Sequence, residues 1–161
     1  MKRRLFALDE NFPQPILDGL RVAFDDFVEL RSLRDIGPEF LAVDDWEVLQ
    51  KLHLHDRDWD GLITNDAAML ALPKEMTVLN DTGLTLVVVK GQGDSPVRAT
   101  GLLLCHLQHI CHQSNPSTAQ IWTLSTQQKS PEPAEKYLSA IAAREGLTVA
   151  QLCARHRIPL R

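Results

Sequence analysis

The chain has 161 residues, with 21 acidic and 17 basic side chains and a formal net charge of −4. This length suits one domain, or one domain with a short appendage. Apolar residues make up 44% and charged residues 24% of the chain, which excludes disorder as the main state. The acidic balance argues against a protein that coats nucleic acid nonspecifically, but it allows an enzyme that contacts nucleic acid at one site.

The sequence also argues against secretion and membrane insertion. The basic start at residues 2–4 is followed by only four apolar residues before Asp9, too few for a signal peptide. Apolar runs such as residues 84–89 are too short to cross a bilayer. Three cysteines form no disulfide framework. We therefore expect a cytoplasmic protein with no membrane partner.

The first elements are short. Residues 5–8 form an apolar run typical of a buried strand, and this run ends at Asp9. Pro15 suits the first turn of a helix over residues 16–20 or a little beyond. Residues 27–31 alternate apolar and polar side chains, which favours a half-exposed strand.

A helix to about residue 54 comes next, because Asp44 and Glu47 have the spacing of a capping box. Residues 61–64 predict a second buried strand. Residues 67–72 predict a helix that Pro73 stops.

The following segment is ambiguous, since residues 74–82 suit either a helix closed by Gly83 or a brief strand. Residues 84–90 form the clearest strand pattern. A long helix is predicted over residues 95–112 and a last strand over residues 119–124.

The end of the chain has a different character. Residues 127–133 are polar and contain proline, as linkers do, and two helical segments follow around Gly146. We therefore expect one domain over residues 1–126, and a linker with a helical tail over residues 127–161. The tail either packs on the core or binds a partner; sequence-specific DNA binding is a third interpretation.

Strand and helix alternate over residues 5–125, which predicts an α/β fold with a mostly parallel central sheet. Ligands of such sheets bind beyond the carboxyl ends of the strands. Asp9 and Asp66 each follow a predicted strand, and Asp45 lies at the start of a helix, so all three belong to this edge.

Three carboxylates at one edge favour a cation. Two of them about 4 Å apart repel by roughly 4 kcal/mol at an effective dielectric of 20. Mg²⁺ and Mn²⁺ favour oxygen ligands and often bind a few carboxylates together with a substrate phosphate. The pattern therefore indicates metal-assisted phosphodiester chemistry.

Simpler interpretations of the three acids stay open: Asp9 as a turn residue, Asp66 as a helix cap, and Asp45 as an acid favoured by the helix dipole.

Three motifs carry a resemblance to a known family. They are LDENFP at residues 8–13, DWEVL at residues 45–49 and LITND at residues 62–66. Together they resemble the PIN-like domain superfamily, in the branch with a DEN start and a TND third strand, over roughly residues 4–112 and extending to 125. The resemblance implies a three-layer PIN-like sandwich and a Mg²⁺- or Mn²⁺-dependent ribonuclease, often a VapC-type toxin of a toxin–antitoxin pair.

By position, the resemblance implies that Asp9, Asp45 and Asp66 are the metal-binding and catalytic acids. Thr64 and Asn65 would position the last of these, and Glu10 would be auxiliary.

Many members carry a further acid two or three residues after the TND aspartate, where this chain has Ala68 and Met69. Either Asp81 or Glu47 is a candidate substitute, and without one the metal site is incomplete.

Other side chains suggest weaker sites. Lys90 follows a strand and Arg98 begins a helix at the same edge, so both are candidate phosphate contacts, although solvated surface charge explains them equally well. Cys105, His109 and His112 share a helix face, and Cys153 with His156 could complete a zinc site.

The leading expectation is thus a Mg²⁺- or Mn²⁺-dependent endoribonuclease acting on RNA. Its expected partners are a protein antitoxin and a second copy of the chain in a homodimer. The alternative is a non-catalytic PIN-like interaction module with an incomplete metal site.

Overall fold

The computed structural model describes residues 3–10, 14–90, 95–116, 118–124 and 130–160. They contain the strands β1 (Arg4–Leu8), β2 (Val28–Ser32), β3 (Gly61–Thr64), β4 (Thr85–Val89), β5 (Gln120–Leu124) and β6 (Glu132–Pro133). These strands form one six-stranded sheet in the order β2-β1-β3-β4-β5-β6, in which all neighbours are parallel except β5 and β6. The α/β class and the mostly parallel sheet are therefore confirmed.

Helices cover both faces of the sheet, as parallel strands require. The helices are α1 (Gln14–Phe24), α2 (Leu33–Ile36), α3 (Asp45–Leu54), α4 (Pro73–Thr82), α5 (Pro96–Gln113), α6 (Ala134–Glu145) and α7 (Val149–His156). One face of the sheet packs against α1 and α5, and the other packs against α3, α4, α6 and α7. Side chains alternate along β1: Phe6 and Leu8 join the hydrophobic cluster under α1 and α5, whereas Leu5 and Ala7 join the cluster on the opposite face.

Two helix boundaries differ from the prediction. Pro73 begins α4 instead of ending a helix, because proline at the first helical position loses no hydrogen bond there. The predicted helix before it is a single 3-10 turn over residues 68–71. The ambiguous segment is helical and ends at Gly83, whose φ of 70° suits glycine.

The predicted capping box is wrong, since the Asp44 side chain accepts from Trp46 Nε1 (3.1 Å) and not from a backbone amide.

The end of the chain adds to the same core. Within the predicted linker, β6 pairs with β5, while residues 125–129 and the boundary at residue 126 lie outside the described residues. Leu138, Ile141 and Leu152 are almost fully buried in the cluster that contains α3 and α4. Arg144 donates to the carbonyl of Ala71, so α6 also contacts the 3-10 turn before α4.

A buried ion pair ties the start of β1 to the loop before β3. Arg4 pairs with Asp60, and the two side chains are only 10% and 12% exposed. Arg4 also donates to Ser114 Oγ (2.8 Å), and Asp60 accepts from the Leu5 amide (2.8 Å). These contacts connect β1, β3 and the end of α5.

None of the described helices is both long and apolar enough to cross a membrane.

Candidate carboxylate site

The register of β1 and β3 brings two of the predicted acids to neighbouring positions. Leu8 pairs with Ile63, and the Asp9 amide donates to the Ile63 carbonyl (2.9 Å) just beyond the end of β1. Asp66 lies two residues beyond the end of β3. Both acids therefore follow adjacent parallel strands at the carboxyl edge of the sheet, as predicted.

Thr64 links these two acids. Its hydroxyl donates to Asp9 Oδ2 (2.9 Å) and accepts from the Asp66 amide (3.0 Å). The Asp66 carboxylate in turn accepts from the Ala68 amide (2.8 Å). Because Thr64 is only 2% exposed, its hydroxyl is held in one environment and orients the Asp9 carboxylate.

Asp45 reaches the same site from α3, where it is the first helical residue. The pKa of its carboxyl is raised to about 6, first by burial and then by the charges of Asp9 and Asp66. Glu75 and Asp44 raise the pKa of Asp45 further. Asp9 and Asp66 therefore lie near enough to Asp45 to act on its carboxyl electrostatically.

Glu75 is a member of this site that the sequence reasoning missed. It lies in the first turn of α4 and is only 8% exposed. Its pKa is also raised, mainly by burial, while Asp44 raises it and Lys74 and His156 lower it. Recognising Pro73 as a helix start would have put Glu75 at the amino end of α4, on the same edge.

The donor chemistry of this site suits a hard divalent cation. Asp45 carries uncompensated repulsion from four other acids, which a cation would relieve. Among the residues that the structure describes, no three His, Cys, Asp or Glu side chains are already gathered at metal-binding distances. Mg²⁺ commonly uses one or two carboxylates and keeps several waters, so it needs no preformed set of three. The carboxylate oxygens of Asp9, Asp45 and Asp66, with Glu75 near them, are donors of the kind that such an ion binds.

Burial of the Asp45 carboxyl among other acids has a consequence for stability. Its pKa is higher in the folded chain than its ordinary value of 3.8, so the folded state loses stability as pH rises from about 4 to about 6. We expect Asp45→Asn to stabilise the metal-free protein by about 1–2 kcal/mol at pH 7, less than the full shift implies because the carboxyl is only partly buried. Thermal unfolding in EDTA at pH 4.5 and 7.5 measures this.

The wild-type and Asp45→Asn proteins should differ more in melting temperature at pH 7.5 than at pH 4.5. A melting temperature at pH 7.5 that is equal or lower in the variant would contradict the burial and electrostatic repulsion assigned to the Asp45 carboxyl.

Of the remaining predicted site residues, some lie near the carboxyl edge of the sheet and others do not. Glu10 and Asn65 are exposed near the carboxyl edge, as are Lys90, just after β4, and Arg98, in the first turn of α5. Asp81 is not brought to this site: it lies in the last turn of α4, near the amino edge, where Arg157 Nε lies 3.6 Å from its carboxylate.

Glu47 is the other candidate substitute. Its Oε2 lies 3.7 Å from Nζ of Lys51, which follows one turn later in α3.

The zinc hypothesis is wrong. Cys105, His109 and His112 belong to α5, and Cys153 and His156 belong to α7. These helices pack on opposite faces of the sheet. The two halves of the hypothetical ligand set are therefore separated by the whole sheet.

A depression of about 600 Å³ runs along the outer edge of β2, away from the carboxylates. Its arginines already have carboxylate partners: Arg3 pairs with Asp25, Arg21 with Asp18 and Asp35, and Arg31 with Glu29. Since these charges are mutually neutralised, the depression offers no comparable chemistry.

Comparison of the chain with models of known protein families, with curated proteins and with solved structures finds no significant match. The functional assignment therefore depends on the chemistry of the carboxylate site and on the resemblance of the three short motifs.

Proposed function

We propose that the chain is a PIN-like, Mg²⁺- or Mn²⁺-dependent endoribonuclease whose site contains Asp9, Asp45 and Asp66. One observation carries the proposal: Asp45 is partly buried near Asp9 and Asp66, and burial first, then the charges of these two acids, raise its pKa to about 6. Carboxylates that repel one another in a folded protein are characteristic of sites that hold a cation.

Each residue has a distinct task in this proposal. Asp9, oriented by the Thr64 hydroxyl, and Asp66, held by the Ala68 amide, would bind the ion together with Asp45. Glu75 adds negative charge beside them. The bound cation would supply an activated water and stabilise the charge that develops on the scissile phosphate.

Lys90 and Arg98 follow β4 on the same edge, and we assign them to phosphates of the RNA outside the acidic centre. Asn65 and Glu10, both exposed there, would complete the rim.

We further propose a role as the toxin of a toxin–antitoxin pair in the cytoplasm, with a protein antitoxin and a homodimer as its assemblies. This part depends on the family resemblance alone. A small reading frame overlapping or adjoining the gene, whose product suppresses the activity when coexpressed, would support it; absence of such a frame would count against it.

A non-catalytic interaction module is the second candidate, because the chain has Ala68 and Met69 where many PIN-like proteins carry another acid. Met69 is fully buried, so no acid could take that position without disturbing the core. The distinguishing assay is cleavage of a labelled RNA by the purified protein with Mn²⁺, with Mg²⁺ and with EDTA. Cleavage that requires the metal favours the nuclease, whereas no cleavage under any condition favours the module.

A further inference from the structure

An aromatic side chain and a cation lie in contact beside the carboxylates. Trp46 follows Asp45 in the first turn of α3, and Lys74 precedes Glu75 in the first turn of α4. The Lys74 ammonium lies 3.5 Å from the centre of the Trp46 ring. The two residues thus form a pair, the Trp46–Lys74 pair, between two helix starts at the carboxyl edge.

The indole of this pair is held in position but remains partly exposed. Its Nε1 donates to Asp44 Oδ2 (3.1 Å), and the ring packs against the core cluster of α3 and α4. One ring face carries the ammonium of Lys74. A lysine has a flexible four-carbon stem, so this cover can move aside without a change in the backbone.

We propose that the Trp46–Lys74 pair binds one nucleotide of single-stranded RNA, with an unpaired base stacked on the indole and the Lys74 ammonium on an adjoining phosphate. This inference rests on the proposed nuclease function and names two residues that bind its substrate. The sequence alone did not single out either residue for this role.

The balance of interactions favours replacement of the Lys74 ammonium on the Trp46 ring by an RNA base. An exposed contact between a cation and an aromatic ring changes an equilibrium by about two- to five-fold. Stacking of a base on an aromatic side chain strengthens binding by roughly 5- to 150-fold, and it tolerates any base. The displaced ammonium also gains a phosphate partner, which offsets the repulsion between RNA and the neighbouring acids.

The arrangement also implies a preference for unpaired strands. In duplex RNA the bases are already stacked and paired, so no base is free to stack on the indole. A bound single strand would pass from the Trp46–Lys74 pair to the carboxylates, because Trp46 adjoins Asp45 and Lys74 adjoins Glu75.

Fluorescence anisotropy of a short, unstructured, fluorescein-labelled RNA tests this in the full chain carrying Asp9→Asn, with millimolar Mg²⁺. We expect Trp46→Ala and Lys74→Ala each to weaken binding by at least about five-fold. Trp46→Phe keeps an aromatic face and should stay within about three-fold of its parent. Lys136→Ala on α6 removes the same charge at an exposed site and should bind like its parent.

Tryptophan emission gives a second readout. RNA should quench it in the parent protein and much less in Trp46→Phe, since Trp59 and Trp122 are buried. Thermal unfolding of each variant identifies any loss of binding that follows from unfolding.

Unchanged binding in Trp46→Ala and Lys74→Ala, equal binding of duplex RNA, or no RNA binding by the parent would each overturn the inference. Cleavage by the wild-type protein is scored separately. Cleavage without dependence of binding on Trp46 would remove the inference and keep the nuclease. Dependence of binding on Trp46 without cleavage would remove the nuclease and keep the RNA-binding role of the Trp46–Lys74 pair.

Discussion

Replacing Asp9 with asparagine is expected to reduce metal-dependent RNA cleavage by roughly 10²- to 10³-fold, as loss of one preorganised charged group at a reacting centre commonly does. The substitution removes a negative charge but keeps an oxygen that can accept from the Thr64 hydroxyl. The site should therefore keep its shape and lose its affinity for the cation. Initial rates of cleavage in Mn²⁺, for wild-type and variant proteins purified identically, measure the effect.

Asp81→Asn is the matched control for this experiment. It makes the same chemical change in the last turn of α4, where the Asp81 carboxylate lies 3.6 Å from Arg157 Nε and outside the carboxylate site. We expect its cleavage rate to stay within about two-fold of wild type, since surface substitutions of this kind have small effects. Equal rates in Asp9→Asn and wild type, or equal losses in both variants, would remove the assignment of Asp9.

The second large effect concerns stability. Arg4→Met leaves the Asp60 carboxylate almost buried without its cation, and loss of one partner of a buried pair costs about 3–5 kcal/mol. In a domain of this size that corresponds to a fall in melting temperature of about 6–20 °C. Thermal unfolding followed by circular dichroism measures it.

Two comparisons show whether the buried pair is the cause. Arg3→Met removes a neighbouring arginine whose pair with Asp25 is 42% and 69% exposed, so it should change stability by less than about 1 kcal/mol. Adding Asp60→Asn to Arg4→Met removes the unpaired charge and keeps an acceptor for the Leu5 amide, so part of the loss should return. Similar melting temperatures for Arg3→Met and Arg4→Met would contradict the account.

Most of the fold was predictable, because the strands are short apolar runs separated by helical patterns. Residues 5–8 and 61–64 were recognisable as strands from apolar side chains alone, and they lie in β1 and β3. The two residues of β6 were not predictable, since Glu132 and Pro133 have no strand pattern and pair with β5 over only two positions. Pro73 was misread because proline both ends and begins helices.

The candidate site was predictable only where the chain topology determines position. Parallel strands share a carboxyl edge, so Asp9 and Asp66 could be placed together before any coordinates were known. Glu75 and the Trp46–Lys74 pair depend on how α4 packs beside α3, which no local pattern reveals. Asp81 was a candidate because of its charge, but its place in the last turn of α4 puts it far along that helix from Glu75.

We propose that the carboxylates of residues 9, 45 and 66 share one cation. Anomalous diffraction from crystals soaked in Mn²⁺ locates that ion directly. We expect one strong peak at the carboxyl edge, about 2.1 Å from oxygens of at least two of these side chains. A well-ordered site with no peak there, or a peak that contacts none of the three, would contradict it.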